Sequence, residues 1–411
     1  MLFDPARHEH LRALRWDARE AAAAIERIVT DTESRFDERR YWPTHPLDRD
    51  GADEANQSET PLYHGACGVF WALRYLEAVG SATLSRNYAG TIDKLLVRNR
   101  AWLGEAAERE RASYLMGETP IRMMAFGDEP TQASESALDA LIAGNLEHPA
   151  RELMWGSPGT LLAALFLHER TGKARWAELF RSTASTLFSQ LEWSAAHRCL
   201  HWTQNLYGVR STYLDAVHGF VATALPLIRG RHLLPTQAWE AWDRCIRETV
   251  LRTADRRGPH VNWLAELERA ASEQKMLLQF CHGSPGFVVC LAGLPGPAID
   301  DLLHAAGETI WSAGPLMKGS NLCHGTGGNG YAFLKLFQRT GDALWLERAR
   351  AFAMHGIAQT WRDAARHGQL RYSLWTGDLG FAIYLWDCLQ AQARFPTLDV
   401  FYADGVRDVP R

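Results

Sequence analysis

Two kinds of apolar stretch alternate along the chain. The first is short and apolar nearly all round, as in residues 69–76, 160–167, 287–291, 331–337 and 381–389. A helix that is apolar on every side must be buried on every side. The second kind is amphipathic: in 173–191, Trp176, Leu179, Phe180, Leu187, Phe188 and Leu191 share one face at helical spacing. Such stretches predict an outer layer around the buried helices. Leu11, Leu14, Ala21, Ala24, Ile25 and Ile28 predict one more amphipathic helix over residues 6–28. Residues 30–60 are polar, contain Pro43, Pro46 and Gly51, and read as a surface loop.

A glycine cluster precedes the all-round apolar runs. Seven such units begin at Gly65, Gly117, Gly156, Gly219, Gly283, Gly325 and Gly377, at intervals of 52, 39, 63, 64, 42 and 52 residues. Each interval has room for two helices and their turns. Two units are alike in detail. From Gly156 and from Gly325 the chain aligns without a gap at an offset of 169, which matches Gly159 with Gly328, Arg170-Thr171-Gly172 with Arg339-Thr340-Gly341, and Trp176 with Trp345. The repeat is therefore inner helix, Thr-Gly turn, outer helix. Stacked helix pairs make an open solenoid or a closed ring. Closure is favoured here, because the inner runs are apolar on both flanks and the glycine clusters collect polar and metal-type residues at one end.

The expectation is an all-α chain folded as an α/α toroid, with residues 1–59 forming an N-terminal helix and surface loop and residues 60–411 the compact toroid. Glycine suits the loops, since it permits close backbone approach and tolerates positive φ before a helix start. Regular strands have little support.

Composition narrows the partners. Lys and Arg number 44 against 48 Asp and Glu, a net charge of -4 with no long block of one sign. Neither nucleic acid nor an anionic membrane is an obvious partner. Seven cysteines spread over 411 residues do not resemble a secreted disulfide framework, so a reducing cytoplasmic location is expected. The N-terminus has no signal-peptide pattern, and eighteen apolar residues nowhere run together.

The richest stretch is residues 318–334, where Cys323 and His324 stand among five glycines. Cys281-His282-Gly283-Ser284-Pro285-Gly286 repeats the same grammar about forty residues upstream. Two thiolates and one imidazole suit zinc, and three protein ligands with an open fourth position are the pattern of a catalytic site. The rival reading is that small residues simply precede buried helices, free cysteine being among the most buried residue types. Cys67 fits that reading. Four histidines, His64, His218, His282 and His324, all precede glycine, and they cannot all bind one ion that already has two sulfurs.

Residues 318–334, Gln279–Gly286, Glu152–Gly156, His218-Gly219, Tyr372–Gly377 and Ala393–Pro396 resemble the LanC-like proteins, the lanthionine cyclases of bacteria and their eukaryotic glutathione-linked relatives. The resemblance runs over roughly residues 60–400 and is closer to the eukaryotic-type branch. It implies seven inner and seven outer helices, a zinc ion held by Cys281, Cys323 and His324, and addition of a thiol to dehydroalanine or dehydrobutyrine. It also implies that His218 is the acid/base residue and that Lys318 lies beside the site. There are departures: Ala222 stands where a glycine is usual, Pro120 ends the second unit, and Glu152 is the nearest carboxylate to an aspartate of the bacterial cyclases.

The chemistry is consistent with those types. A thiolate attacking the β-carbon pushes charge onto the neighbouring carbonyl, so a proton donor and an oxyanion holder are required. His218 and Lys318 are candidates, with His282 a second candidate donor. Glutathione is the favoured thiol and a peptide or protein containing dehydroamino acids the acceptor. The alternatives are a lanthipeptide-type peptide cyclase and a noncatalytic zinc- or thiol-binding scaffold. A carbohydrate or isoprenoid enzyme of similar architecture would need paired carboxylates or an aspartate-rich magnesium motif, and the sequence shows neither.

Overall fold

The computed structural model describes residues 1–49 and 59–403, so Gly51 lies outside the described residues. Among the described residues, fifteen α-helices are numbered in chain order. Seven are inner: α2 (Ala66–Ala78), α5 (Thr119–Asp128), α7 (Ser157–Thr171), α9 (Phe220–Arg229), α11 (Ser284–Leu291), α13 (Thr326–Thr340) and α15 (Asp378–Gln390). Seven are outer: α1 (Ala18–Ser34), α3 (Ile92–Leu103), α6 (Gln132–Gly144), α8 (Ala174–Ser189), α10 (Thr236–Arg252), α12 (Pro297–Ala313) and α14 (Ala343–His367). The remaining helix, α4 (Ala107–Glu110), is a single turn. Each inner helix touches the next, and α15 touches α2, so the ring closes. The all-round apolar runs are its wall: every residue from Ser157 to Leu167 is buried, as is all of α11.

The loops explain the glycines. A helix start leaves backbone N–H groups without internal partners. At five of the seven inner helices the preceding loop folds back over the start and supplies carbonyls seven residues upstream, as where Gly68 donates to Pro61, Ala222 to Asp215 and Gly328 to Asn321. A Cβ on Gly328 would stand 1.8 Å from the Leu322 carbonyl oxygen. Close approach is therefore the reason for most of these glycines. Positive φ is not, because five of the six glycine caps are extended and only Gly283, at φ 107, is left-handed. Ala222 makes the same bond as Gly68 and Gly328, so the departure from glycine leaves the loop register intact. Pro120 sits in the first turn of α5, where no N–H is needed.

Two expectations change. The first helix runs from Ala18 rather than residue 6, because Asp17 caps it by accepting from the N–H groups of Arg19 and Glu20. Residues upstream instead cross the loop face, where Glu9 N–H donates to Pro315, Met317 N–H to Arg7, and Glu9 pairs with His355 and Arg362. α1 packs on α15 and α14 as an outer helix. Strands also occur, as three antiparallel hairpins: β1 (Glu192–Ser194) with β2 (Cys199–His201), β3 (Gln204–Leu206) with β4 (Val209–Ser211), and β5 (Asp255–Arg257) with β6 (His260–Asn262). Three-residue strands are too short to show alternation in a sequence.

The other end of the bore is plugged. Phe395 stacks on Phe280 at 4.5 Å and packs on Tyr331 and Trp375. Tyr114 and Trp375 hydrogen-bond Thr397, while Lys335 pairs with Asp399 at 2.8 Å. This leaves the loop face as the open end. No helix among the described residues is long and apolar enough to cross a membrane.

Candidate metal centre and its histidine–carboxylate rim

The seven glycine loops meet in a belt of backbone hydrogen bonds. Tyr63 donates to Leu115, Leu115 to Met154, Leu153 to Val217, Cys281 to Cys323, Cys323 to Trp375, and Trp375 back to Tyr63. Most of these residues stand two before the first glycine of their unit, so the belt sets one register for the whole rim. Between the fourth and fifth units the link is made by side chains instead: Asp215 pairs with His282 Nδ1 at 2.8 Å.

That register brings Cys281, Cys323 and His324 together. Their ligand atoms all lie within 4.8 Å of one another. Both cysteines are buried, and all seven cysteines are unpaired. The Cys323 hydrogen bond and burial push the Cys281 thiol well above its ordinary range. Two sulfurs this close repel when ionised, and a cation between them removes the penalty. Burial, with the charges of Arg371, Lys318 and Arg7, lowers His324 to about 3, so its imidazole is neutral and its lone pair is free. A neutral imidazole is the form that binds metal. The donor set thus fits a zinc ion. Around it, the Tyr63 hydroxyl donates to Cys323 Sγ at 2.7 Å and Gln279 Nε2 to Cys281 Sγ at 2.9 Å. Arg7 in turn donates to Gln279 Oε1 at 3.2 Å.

The adjoining units carry two histidine–carboxylate pairs. His218 Nδ1 lies 3.0 Å from Glu152 Oε2, and Glu152, fully buried, also accepts from the N–H groups of Met154 and Trp155. Burial would lower His218, but the Glu152 hydrogen bond and charge, with Asp215 and Cys281, carry it up to about 9. Asp215 repeats the arrangement one unit later. Its Oδ1 accepts from Val217 and His218 N–H groups and its Oδ2 faces His282, which is likewise carried up to about 9 against burial, chiefly by the Asp215 charge. Tyr213 packs against both rings, at 5.7 Å from His218 and 6.2 Å from His282.

Lys318 is exposed on the loop before Cys323, and its carbonyl accepts from Asn321. His64 pairs with Glu59 instead of joining the sulfurs. The sequence expectations give no site role to Asp215, Tyr63, Gln279, Arg7 or Arg371. Two of them had a signal: Asp215 stands four before Gly219, as Glu152 does before Gly156, and Tyr63 stands two before Gly65, as Cys281 and Cys323 do before theirs.

The profile of a family described as "Lanthionine synthetase C-like protein" matches residues 56–400. The chain is 35% identical over 156 residues to Glutathione S-transferase LANCL1 of Danio rerio, covering 34% of this chain and 38% of that protein. It is 28% identical over 265 residues to LanC-like protein GCL1 of Arabidopsis thaliana, covering 61% of this chain and 58% of that one. Each alignment spans less than two thirds of the relative's own length. The solved structure of nisin cyclase shares the fold, with a TM-score of 0.61 at 14% identity over 92% of this chain and 98% of that one.

Proposed function

From the premise that the chain belongs to the lanthionine synthetase C-like family, we propose that it adds the thiol of glutathione to a dehydroalanine or dehydrobutyrine residue of a peptide or protein. Cys281, Cys323 and His324 hold one zinc ion in this reading, with the fourth position left for the donor sulfur. The observation that carries it is the convergence of those three donors beside the Glu152–His218 pair. When bound, zinc lowers the pKa of a coordinated thiol, so that the sulfur is anionic at neutral pH.

The chain's own groups supply the rest. Lys318 and Arg7, whose charges act on His324, suit the two carboxylates of glutathione, while Arg371 is held by Asp48. The glutathione transferase name of a relative points to the same donor. The acceptor then approaches from the side of the two pairs. The C–S bond forms at the β-carbon, the C=C electron pair moves to Cα, and negative charge develops on the adjacent carbonyl oxygen. His218, kept protonated and oriented by Glu152, gives its proton to Cα. His282 has Nδ1 taken by Asp215 and offers Nε2 to the oxyanion. The thiol proton leaves to solvent, His218 takes one back from solvent, and the product is the sum of the two reactants.

Incubation of the zinc-loaded protein with glutathione and a dehydroalanine peptide tests this. The expected product is the peptide heavier by one whole glutathione. Loss of a peptide thiol at unchanged mass would show a cyclase instead. Absence of either reaction with the metal bound would leave a noncatalytic scaffold.

A further inference from the structure

The addition reaction proposed above requires something to hold the acceptor beside the reacting carbon. On the side of the Glu152–His218 pair, a cleft of about 360 Å³ opens between α4 and the tip of the β3–β4 hairpin. Ala106 and Arg109 line it from one side and Trp155 and Tyr207 from the other, with His148 and Pro149 between them. The hairpin is tied to that base by Asn205 N–H donating to the Pro149 carbonyl at 3.0 Å.

Trp155 links the cleft to the pair. Trp155 holds in its unit the place that His218 holds in the next, directly before the first glycine. Its backbone N–H donates to Glu152 Oε1, while Glu152 Oε2 takes His218. Its indole N–H donates to the Tyr207 hydroxyl at 2.9 Å, and the two rings meet edge-on at 6.2 Å. One residue thus contacts both the proton-transfer carboxylate and the cleft wall.

The lining selects by polarity. Its exposed surface is mostly apolar. Its charges are already matched, Glu110 with His148 at 3.2 Å and with Arg109 at 2.5 Å. A charged side chain entering would lose water without gaining a partner, whereas an apolar one gains by burial. The hairpin tip presents large apolar side chains to solvent, with Tyr207 77% and Val209 63% exposed. Tyr207 also holds φ 54 in a turn where asparagine or glycine is unstrained. An exposed aromatic residue kept in a strained turn beside a reactive pair is a mark of binding rather than packing.

We propose that this cleft is the subsite for the residue flanking the dehydroamino acid of the acceptor peptide, and that it selects an apolar or aromatic side chain there. Binding can be read apart from the chemistry. Peptides with alanine in place of dehydroalanine, and with Phe or Asp in turn on each flank, are titrated into the zinc-loaded protein. At one flank the Phe peptide is expected to bind about 10-fold more tightly, as burial of an aromatic side chain provides. Ala106→Trp, which fills the cleft away from Glu152 and His218, should abolish that preference while addition of glutathione to a small dehydroalanine amide continues. Tyr207→Ala should weaken the Phe peptide and leave the Asp peptide unchanged. Equal binding of the two peptides at both flanks, or a Phe preference that survives both variants, overturns the subsite. A Phe preference in a protein that adds glutathione to no acceptor would support the subsite and refute the reaction.

Discussion

The unit leading into α7–α8 and the unit leading into α13–α14 are built on one register and do different things. α7 and α13 start and end 169 residues apart, each stops at a left-handed glycine, Gly172 or Gly341, and Trp176 and Trp345 fill matching buried places. The differences lie just ahead of the first glycine. Glu152, Met154 and Trp155 in one unit stand where Asn321, Cys323 and His324 stand in the other. Asn321 accepts from His324 N–H as Glu152 accepts from Trp155 N–H, so the backbone task is shared. The amide is finished once it has capped that turn, while the carboxylate has charge left for His218. The belt satisfies the backbone whatever side chain follows, and chemistry can therefore be exchanged between units without disturbing the ring.

The hardest break in that comparison is Cys323→Ala. Bound zinc should fall from about one per chain to almost none, measured by metal analysis after dialysis, and addition activity should fall with it. The matching change, Met154→Ala, should leave metal content alone and cost about 2–5 kcal/mol of stability as a large-to-small core substitution. Next comes the charge that distinguishes Glu152 from Asn321. His218 is raised to about 9 from an ordinary 6.5, so its donor proton is present below about 9 and lost as pH rises through that value. Glu152→Gln keeps the shape but removes the charge, and the alkaline limb of the rate should move down toward neutral pH with metal content unchanged. His218→Ala should lower the rate about 10²–10⁴-fold at all pH values.

A smaller effect separates the two roles of glycine. Gly328→Ala would drive a Cβ into the Leu322 carbonyl and should cost at least ~2 kcal/mol in thermal or denaturant unfolding. Gly172→Ala meets no atom within 4 Å and should cost only about 1 kcal/mol for its positive φ. Of similar size is Tyr63→Phe, which removes the hydroxyl on Cys323 and should weaken zinc binding about 10-fold, as loss of a ligand's hydrogen-bond partner does.

The ring was legible because its rule is local. Each unit announces itself by a glycine cluster and an apolar run, and the offset of 169 exposes the helix pair before any contact is known. The three clustered donors were legible as residue types, and so was His218. Partners that reach in from far along the chain were not: Tyr63 reaches Cys323 across 260 residues, and Arg7 reaches Gln279 across 272. The N-terminal crossing was hidden for a different reason. An extended segment held by backbone bonds to Pro315 and Met317 has no periodicity, so the spacing of Leu11 and Leu14 imitated a helix that Asp17 in fact begins. Asp215 was missed although it repeats the place of Glu152, because a carboxylate beside a turn looks like a cap until the next unit's histidine is seen against it.

The central claim is that two sulfurs and one imidazole hold a metal with room for the incoming thiol, and cobalt reads it directly. The protein loaded with cobalt(II) in place of zinc should show sulfur-to-cobalt charge-transfer absorption of a two-thiolate tetrahedral site, absent in the Cys281→Ala and Cys323→Ala variants, which no longer hold the metal. Glutathione should raise that absorption toward three sulfurs, at one equivalent per chain. A cobalt spectrum without the two-thiolate band, or one that glutathione leaves unchanged, would contradict the account.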